Sequence, residues 1–484
     1  MTRGVRVSIS GVGRWDEGPA VASASEQLVA NLNLATFVKA KELHRRIFFT
    51  LSALMVYRLG TYVPIPGIDI GAFSQAFQGQ SKGLLGMFNM FSGGAVERMA
   101  IFSLNVMPYI SASIIVQLLG SIYPPWEKLR KEEGEAGRKQ LNQYTRYLTV
   151  VLALFQAFGI ALGLQNSQGM VTNPGPSFVL STVATLTGGA MFLMWLGEQI
   201  TSRGIGNGIS LLILAGIVAV LPRGVFQTLS LVKTGAMSAF GVVAIVGVAA
   251  GFVVGIVFVE LSQRRLRVQY PTRQAGIRSV GADSSFLPLK INTSGVIPPI
   301  FASSLLLLPA TVLGFLGSAM QRDQPAWISS VLAQLQHGRP LFMALYGGMI
   351  IFFTFFYTSV VFNPQETADN LRKHGGFLPG LRPGKQTADH IDKVLTRLTV
   401  IGAAYITLVC LLPEGLIGAY NLPFYLGGTS LLIVVVVAID LLNQIQAQLV
   451  AHQYEAVIRK ARLRTSRPAS AASTPAALQP GGHP

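Results

Sequence analysis

The chain holds a single cysteine, Cys410, in 484 residues. That excludes a disulfide framework and any zinc or iron–sulfur site built on cysteine. Charge is also scarce, at 12% Asp, Glu, Lys and Arg, about half the roughly 25% of a soluble domain. The six histidines are His44, His337, His374, His390, His452 and His483, and none falls in the middle of an apolar run. An intramembrane proton relay or metal site places ionisable or ligating groups there, so both are disfavoured. No nucleophile–base pair or carboxylate pair stands in a catalytic context, so nothing points to an enzyme, and no cofactor or metal is expected. Gly384-Lys385 with Thr387 lacks the GxxxxGK[ST] spacing of a phosphate loop, and "RGIGNGIS" (203–210) is not GxGxxG. The latter reads as a flexible turn between spans.

What the chain does have is apolar mass and positive charge. Half of its residues are hydrophobic and the net charge is +17. Mean hydropathy is +0.49. A membrane crossing needs about 20 mostly apolar residues, because the helix must pair all its backbone groups internally. Ten stretches qualify: 47–66, 101–123, 147–164, 178–197, 205–221, 236–259, 294–317, 341–362, 394–413 and 426–446. The fifth is short, with Gly204, Gly206 and Gly208 crowding its start, and a re-entrant segment is the alternative. Loop charge decides between them. With Arg397 counted in the loop it borders, alternate segments carry 31 and 6 of the 38 Lys and Arg residues, and Arg58 lies inside the first span. Removing the fifth crossing would move two loops of six basic residues each to the outer side, against the positive-inside rule. The expected fold class is therefore an all-α polytopic membrane protein of ten transmembrane helices. It lies in the cell membrane with both termini cytoplasmic. Ten crossings divide into two halves of five, and an odd number per half makes them inverted if they are related.

The expected organisation is a cytosolic arm (1–46), an N-terminal half (47–235), a C-terminal half (236–450) and a cytosolic, partly disordered tail (451–484). The arm carries no apolar run of signal-peptide length, only one interfacial helix near 35–46. Arg58 reads as a snorkelling or bundle-facing structural residue. Glu198, Glu260 and Asp440 lie near the cytoplasmic ends of their spans. Two cytosolic loops are long for mere connections. Loop 260–293 carries Arg264, Arg265, Arg267, Arg273, Arg278 and Lys290. Loop 363–393 carries Arg372, Lys373, Arg382, Lys385 and Lys393 among "GGFLPGLRPG". Both read as docking sites for acidic protein surfaces or RNA phosphate. On the other side, "GLLGMFNMFSGGA" (83–95) is too short to span and reads as a helix folded back into the bundle.

Several blocks carry a family resemblance. "NMFSGGA…MPYISASIIVQLL" (89–119), "EGEAGRKQLNQYTRYLTV" (133–150) and "GAMFLMWLGEQITSRGIGNGIS" (189–210) are similar to the SecY protein-conducting channel family. So are "FLPLKINTSGVIPPIFASSLLLLPAT" (286–311), the block 352–399 around "FNPQETADNLRKHGGFLPGLRPGKQ", and "PFYLGGTSLLIVVVV" (423–437). The resemblance implies two inverted five-helix halves around a pore that moves unfolded secretory chains and releases hydrophobic segments sideways into lipid. It implies a pore ring of Val106, Ile110, Ile209, Ile213, Ile300 and Ile433, of which the first four form two i,i+4 pairs. It implies a plug over 84–95, with Leu84, Met87, Phe88, Asn89, Met90, Phe91, Ser92, Gly93 and Gly94. The implied lateral gate lies between spans two and seven, with Ser111, Ile114, Gln117, Pro298, Ser303 and Ser304, and with prolines that ease bending of the gate helices. The implied partners are the small membrane subunits SecE and SecG, the motor ATPase SecA, a translating ribosome, signal peptides and nascent chains, and membrane lipid. The docking arginine of the family maps onto Arg382. Thr272 and Ile277 depart from the family's basic pattern, which leaves Arg273 and Arg278, or Arg264–Arg267, for ribosome contact. The arm 1–34 and the tail 465–484 fall outside the resemblance. The competing readings are a secondary transporter of inverted-repeat type, with a midplane solute site and a coupling ion, and a structural scaffold with no conducting state.

Overall fold

The computed structural model of the protein describes residues 41–80, 84–131, 134–166, 169–235, 238–270, 274–275, 278–279, 284–306, 334, 339–420 and 427–465. The chain divides into two units, one of Met1–His44 with Ile445–Pro484 and one of Arg45–Gln444. The second holds the helical bundle, apart from the first residues of the first helix and the end of the last.

Helix α1 (Lys41–Gly60) starts at Lys41 and runs unbroken. Residues 41–46 are thus the first turns of span one and not a separate interfacial helix; 35–40 lie outside the described residues. Two short helices, α2 (Ile70–Gln80) and α3 (Leu84–Phe91), follow. Span two is shorter than its apolar run: α4 is Met107–Ile122, preceded by turns over 101–106 in which Asn105 has φ +49°. Pro108 sits in the first turn of α4, where its missing N–H removes no helical hydrogen bond. Pro298 and Pro299 stand likewise at the start of the gate helix, Ile297–Leu306. The expected proline-eased bending inside the gate helices is therefore corrected: these prolines start helices. Residues 307–317 of that span lie outside the described residues.

The N-terminal part continues with α5 (Pro124–Lys131), α6 (Gly134–Asn166), α7 (Pro176–Arg203) and α8 (Gly208–Lys233). The glycine-rich turn ends in an N-cap, where Asn207 Oδ1 accepts from the Ile209 (3.1 Å) and Ser210 (3.5 Å) amides. From there α8 runs 26 residues past Pro222, ample length for a crossing. Helix α9 (Ala239–Leu261) is apolar all round before Glu260, only 6% of the residues in its apolar 18-residue stretch are buried, and Phe240, Val243, Val254 and Phe258 are exposed. Such a helix outside a core demands lipid as its surroundings.

Strands β1 (Gln263–Gln269), β2 (Gln274–Ala275), β3 (Arg278–Ser279) and β4 (Ser284–Lys290) occupy loop 260–293. β1 pairs antiparallel with β4 from Gln263↔Lys290 to Gln269↔Ser284, and β2 pairs with β3. The all-α reading thus gains a β-hairpin in an expected cytosolic loop. The expected gate helix is α10 (Ile297–Leu306), and α11 (Pro340–Val361), α12 (Pro364–Lys373), α13 (Lys385–Tyr420) and α14 (Gly428–Thr465) follow among the described residues. Seven helices among the described residues are long and apolar enough to cross a membrane. α1, α4 and α10 occupy the other three predicted spans. The protein is a multi-pass membrane protein. Its main core runs through Tyr57, Phe91, Val106, Ile110, Leu193, Ile213, Ile300, Phe353 and Ile433, on helices from both parts of the chain.

Candidate functional site

Five of the six expected ring residues converge. Val106, Ile110, Ile213, Ile300 and Ile433, each at most 8% exposed, line one cavity of about 10 Å³ together with Phe91, Asn105 and Met107. That space is about the size of a single water, and its walls are almost wholly apolar. Ile209 does not line it; its side chain packs over Gly197 of α7. The i,i+4 spacing to Ile213 puts the two residues near one another on α8, one turn apart along the axis.

The expected plug segment meets this cavity through Phe91. Met90, Phe91 and Ser92 are buried, and Asn89 is half-buried. Leu84, Met87 and Phe88 fall on α3. After Phe91 the chain turns through Gly93 and Gly94, with φ +68° and +83°, which favours glycine. Hydrogen bonds, an ion pair and cation–π contacts surround this segment. Asn105 Nδ2 donates to the Phe91 carbonyl (2.7 Å). Arg58 (2.9 Å) and Arg98 (3.2 Å) both donate to the Gly93 carbonyl. The Tyr62 ring takes both guanidiniums, at 5.2 and 4.1 Å from its centroid, and Tyr62 Oη accepts from Arg58 (3.0 Å). Glu97 forms a bidentate pair with Arg223 of α8 (2.8 and 3.0 Å). Gly216 of α8 lies so close that a Cβ there would collide with the Phe91 carbonyl oxygen.

Sequence reading missed most of these groups. Arg58 reads from the sequence as a snorkelling or bundle-facing structural residue; it faces the bundle, and the acceptor it meets, a backbone carbonyl 35 residues away, has no local signal. Asn105, Tyr62, Arg98 and Gly216 carry no local signal; their roles arise from the approach of segments distant in sequence.

The gate residues divide between two contacting helices. On α4, Ser111 and Ile114 are buried and Gln117 donates to Ser113 (3.0 Å). On α10, Pro298 is buried, Ser303 donates to the Ile300 carbonyl (2.9 Å), and Ser304 donates to that carbonyl (2.8 Å) and to Met107 Sδ (3.4 Å). The Ser304–Met107 contact is the polar link between the two helices, and thioether sulfur is a weak acceptor. Met107 was not among the expected gate residues. A similar weak link, Ser430 Oγ to Met90 Sδ (3.4 Å), ties the plug segment to α14.

The two basic loops form one structure. Gln269 of β1 and Phe377 exchange two backbone hydrogen bonds of 2.9 Å. Leu266, Leu289, Leu378 and Ile391 are buried together beneath them. Arg264, Arg265 and Lys290 are exposed on the hairpin, and Arg372 and Lys373 are exposed in the last turn of α12. Arg278 falls on β3, while Arg273, Thr272 and Ile277 lie outside the described residues. Arg382 is exposed at a turn flanked by Gly380 (φ +82°) and Gly384 (φ +108°), and its carbonyl accepts from Thr387 (2.9 Å). Lys385 is exposed at the start of α13.

A family model described as SecY matches residues 100–442. The chain belongs to the SecY family. It is 52% identical over 424 residues to the protein translocase subunit SecY of Vibrio cholerae serotype O1, covering 87% of this chain and 95% of that relative. Its fold resembles a solved structure titled for the SecY plug domain that stabilises the closed state and maintains a membrane seal, with TM-score 0.61 and 18% identity over 83% of this chain and 92% of that one. It likewise resembles Sec61 in a canine ribosome–channel complex from the endoplasmic reticulum, with TM-score 0.59 and 18% identity over 83% and 92%.

Proposed function

We infer that this chain is the pore-forming subunit of a protein-conducting channel, and that the structure described is its closed state. The observation that carries the reading is the apolar constriction of Val106, Ile110, Ile213, Ile300 and Ile433 with Phe91 packed against it. A narrow ring of branched apolar side chains resists wetting and ion flow. It also offers a passing chain no fixed hydrogen bonds to break. Ile209, one turn away, widens the apolar collar toward α7. The segment 84–95 acts as the plug, and α4 and α10 part to release hydrophobic segments into lipid. The chain is a channel and not an enzyme; energy comes from partners.

On the same reading the organisation is two halves, 47–235 and 236–450, between a cytosolic arm and tail, with both termini cytoplasmic. Arg264, Arg265, Arg273, Arg278, Lys290, Arg372, Lys373, Arg382 and Lys385 form the cytosolic docking surface for the motor SecA or for ribosomal RNA. SecE and SecG complete the membrane complex, and signal peptides, nascent chains and lipid meet at the gate. The test is reconstitution. Proteoliposomes of the complex with SecA and ATP should take up an unfolded secretory precursor. Variants with Ile110, Ile213, Ile300 and Ile433 replaced by Ser should leak ions at rest in planar bilayers, more so with 84–95 deleted. Solute uptake coupled to an ion gradient, without precursor uptake, would favour a transporter instead.

A further inference from the structure

The cytosolic base of α10 carries a polar arrangement that the constriction and plug do not use. Asn292 lies between β4 and α10 and is 2% exposed. Its Nδ2 donates to Glu260 Oε1 at the end of α9 (2.6 Å) and to the Gly295 carbonyl (3.1 Å). Its Oδ1 accepts from Ser294 Oγ and from the Gly295 amide, both at 3.0 Å. Both donors and both lone pairs of the amide are thus used. The adjoining residue is fixed too. The Ile291 amide donates to the Ser262 carbonyl (3.3 Å), and the Ile291 carbonyl lies 2.8 Å from where a Cβ on Gly402 of α13 would stand. Residues 291–292 are therefore held between α9 and α13.

Three residues later comes Gly295, whose amide and carbonyl are both held by the Asn292 side chain. Gly295 has φ +62°, and nothing lies within 4 Å of where its Cβ would be. Beside it opens a cavity of about 250 Å³, lined by Glu260, Asn292, Gly295, Ile297, Asp440 and Gln444 among others. A fixed point, a permissive glycine and free space together make a hinge. Beyond the hinge, α10 carries Ile300 of the constriction and Ser304, which reaches Met107 on α4. Before it, β4 belongs to the hairpin that Gln269 and Phe377 join to the turn containing Arg382.

We propose that Asn292 is a positioning residue that couples the cytosolic hairpin to α10, so that docking on the hairpin and its adjoining turn swings α10 about Gly295 and parts Ser304 from Met107. The proposal rests on the channel reading above. The polar link described across the gate, Ser304 to Met107 Sδ, is a weak sulfur contact, which suits it.

The test uses the reconstituted complex in a Cys410→Ala background, with Met107→Cys and Ser304→Cys as an oxidative cross-linking pair and SecA with ATP as the docking probe. Cross-linking should be high at rest and fall several-fold on docking. Asn292→Ala should bind SecA as the parent does yet lose most of that fall. Glu260→Ala should resemble it. Glu260→Gln, whose amide oxygen still accepts from Asn292, should recover the parental response. A merely structural role would lower abundance and leave the docked-to-resting ratio of the surviving channels unmoved. If Asn292→Ala does not accumulate, Gly295→Ala, disfavoured at this φ, should blunt the fall instead. A parental ratio in variants that bind SecA overturns the hinge. So does a parent that takes up precursor without any change in cross-linking, which leaves the channel reading standing. A parent that takes up no precursor overturns that reading and the hinge with it.

Discussion

At the scale of single residues, charge and planarity matter most. Arg58 directs its guanidinium at a backbone carbonyl of the plug turn, a bond that lasts only while that turn stays seated. Arg58→Met keeps the apolar stem and removes the donors. Resting conductance in planar bilayers should rise several-fold, with channel abundance close to parental. Unchanged conductance would return Arg58 to a snorkelling role. Arg382 is held outward by two positive-φ glycines, and a planar fork docks on carboxylates or phosphates in a way that Lys does not reproduce. Arg382→Glu should block SecA-driven precursor uptake into vesicles at normal abundance and normal SecE association, and Arg382→Lys should impair it partly. Full uptake by Arg382→Glu would show that the residue only adds positive charge. By contrast, the Glu97–Arg223 pair is worth little by itself, about 0.2–1 kcal/mol for an exposed geometry, since the Arg223 side chain is 55% exposed.

At the scale of elements, the meeting of α3 and α8 decides whether the plug seats. Inside a helix, Gly→Ala is favourable by about 1 kcal/mol on propensity alone. Gly216 of α8 nonetheless lies against the Phe91 carbonyl, so Gly216→Ala must push the plug segment outward. Its expected signature is an increase in resting leak together with unchanged or improved helix stability. A variant with parental leak would show that the segment yields without opening the seal. The legible part of these elements was their apolar length: each predicted span overlaps a helix. Less legible were their ends. The run 101–123 is mostly apolar, yet 101–106 are turns, in which Asn105 adopts φ +49° and directs its amide at Phe91. Nothing within that stretch announces a bond to a carbonyl 14 residues earlier. The hairpin of loop 260–293 was read as a loop since its alternation, with Leu266 and Val268 buried between exposed arginines, covers only a few residues.

At the scale of the whole molecule, the basic loops predict the orientation. Epitope tags near Gly169, Gly235 and Arg322 should be reachable only from outside intact cells, and tags near Gly134, Gly281 and Gly375 only from the cytoplasm. A cytoplasmic result at Arg322 would remove a crossing and overturn the arrangement. The sequence by itself determined the class of the protein: an apolar excess no water-soluble core can absorb, and crossings counted by length; its charge asymmetry predicts how they are oriented. These are properties of single segments against a solvent, and each is readable from its own residues. Only the tertiary structure decided what those segments do to one another. It brought Val106, Ile110, Ile213, Ile300 and Ile433 around one small space and set Arg58 on the plug carbonyl. It joined the two basic loops through Gln269 and Phe377, and it closed Asn292 onto Glu260. The physical reason is that hydrogen bonds and close packing act over about 3–4 Å between groups tens or hundreds of residues apart. A residue's hydropathy states which medium it prefers, but its partner is fixed only when every helix has been placed.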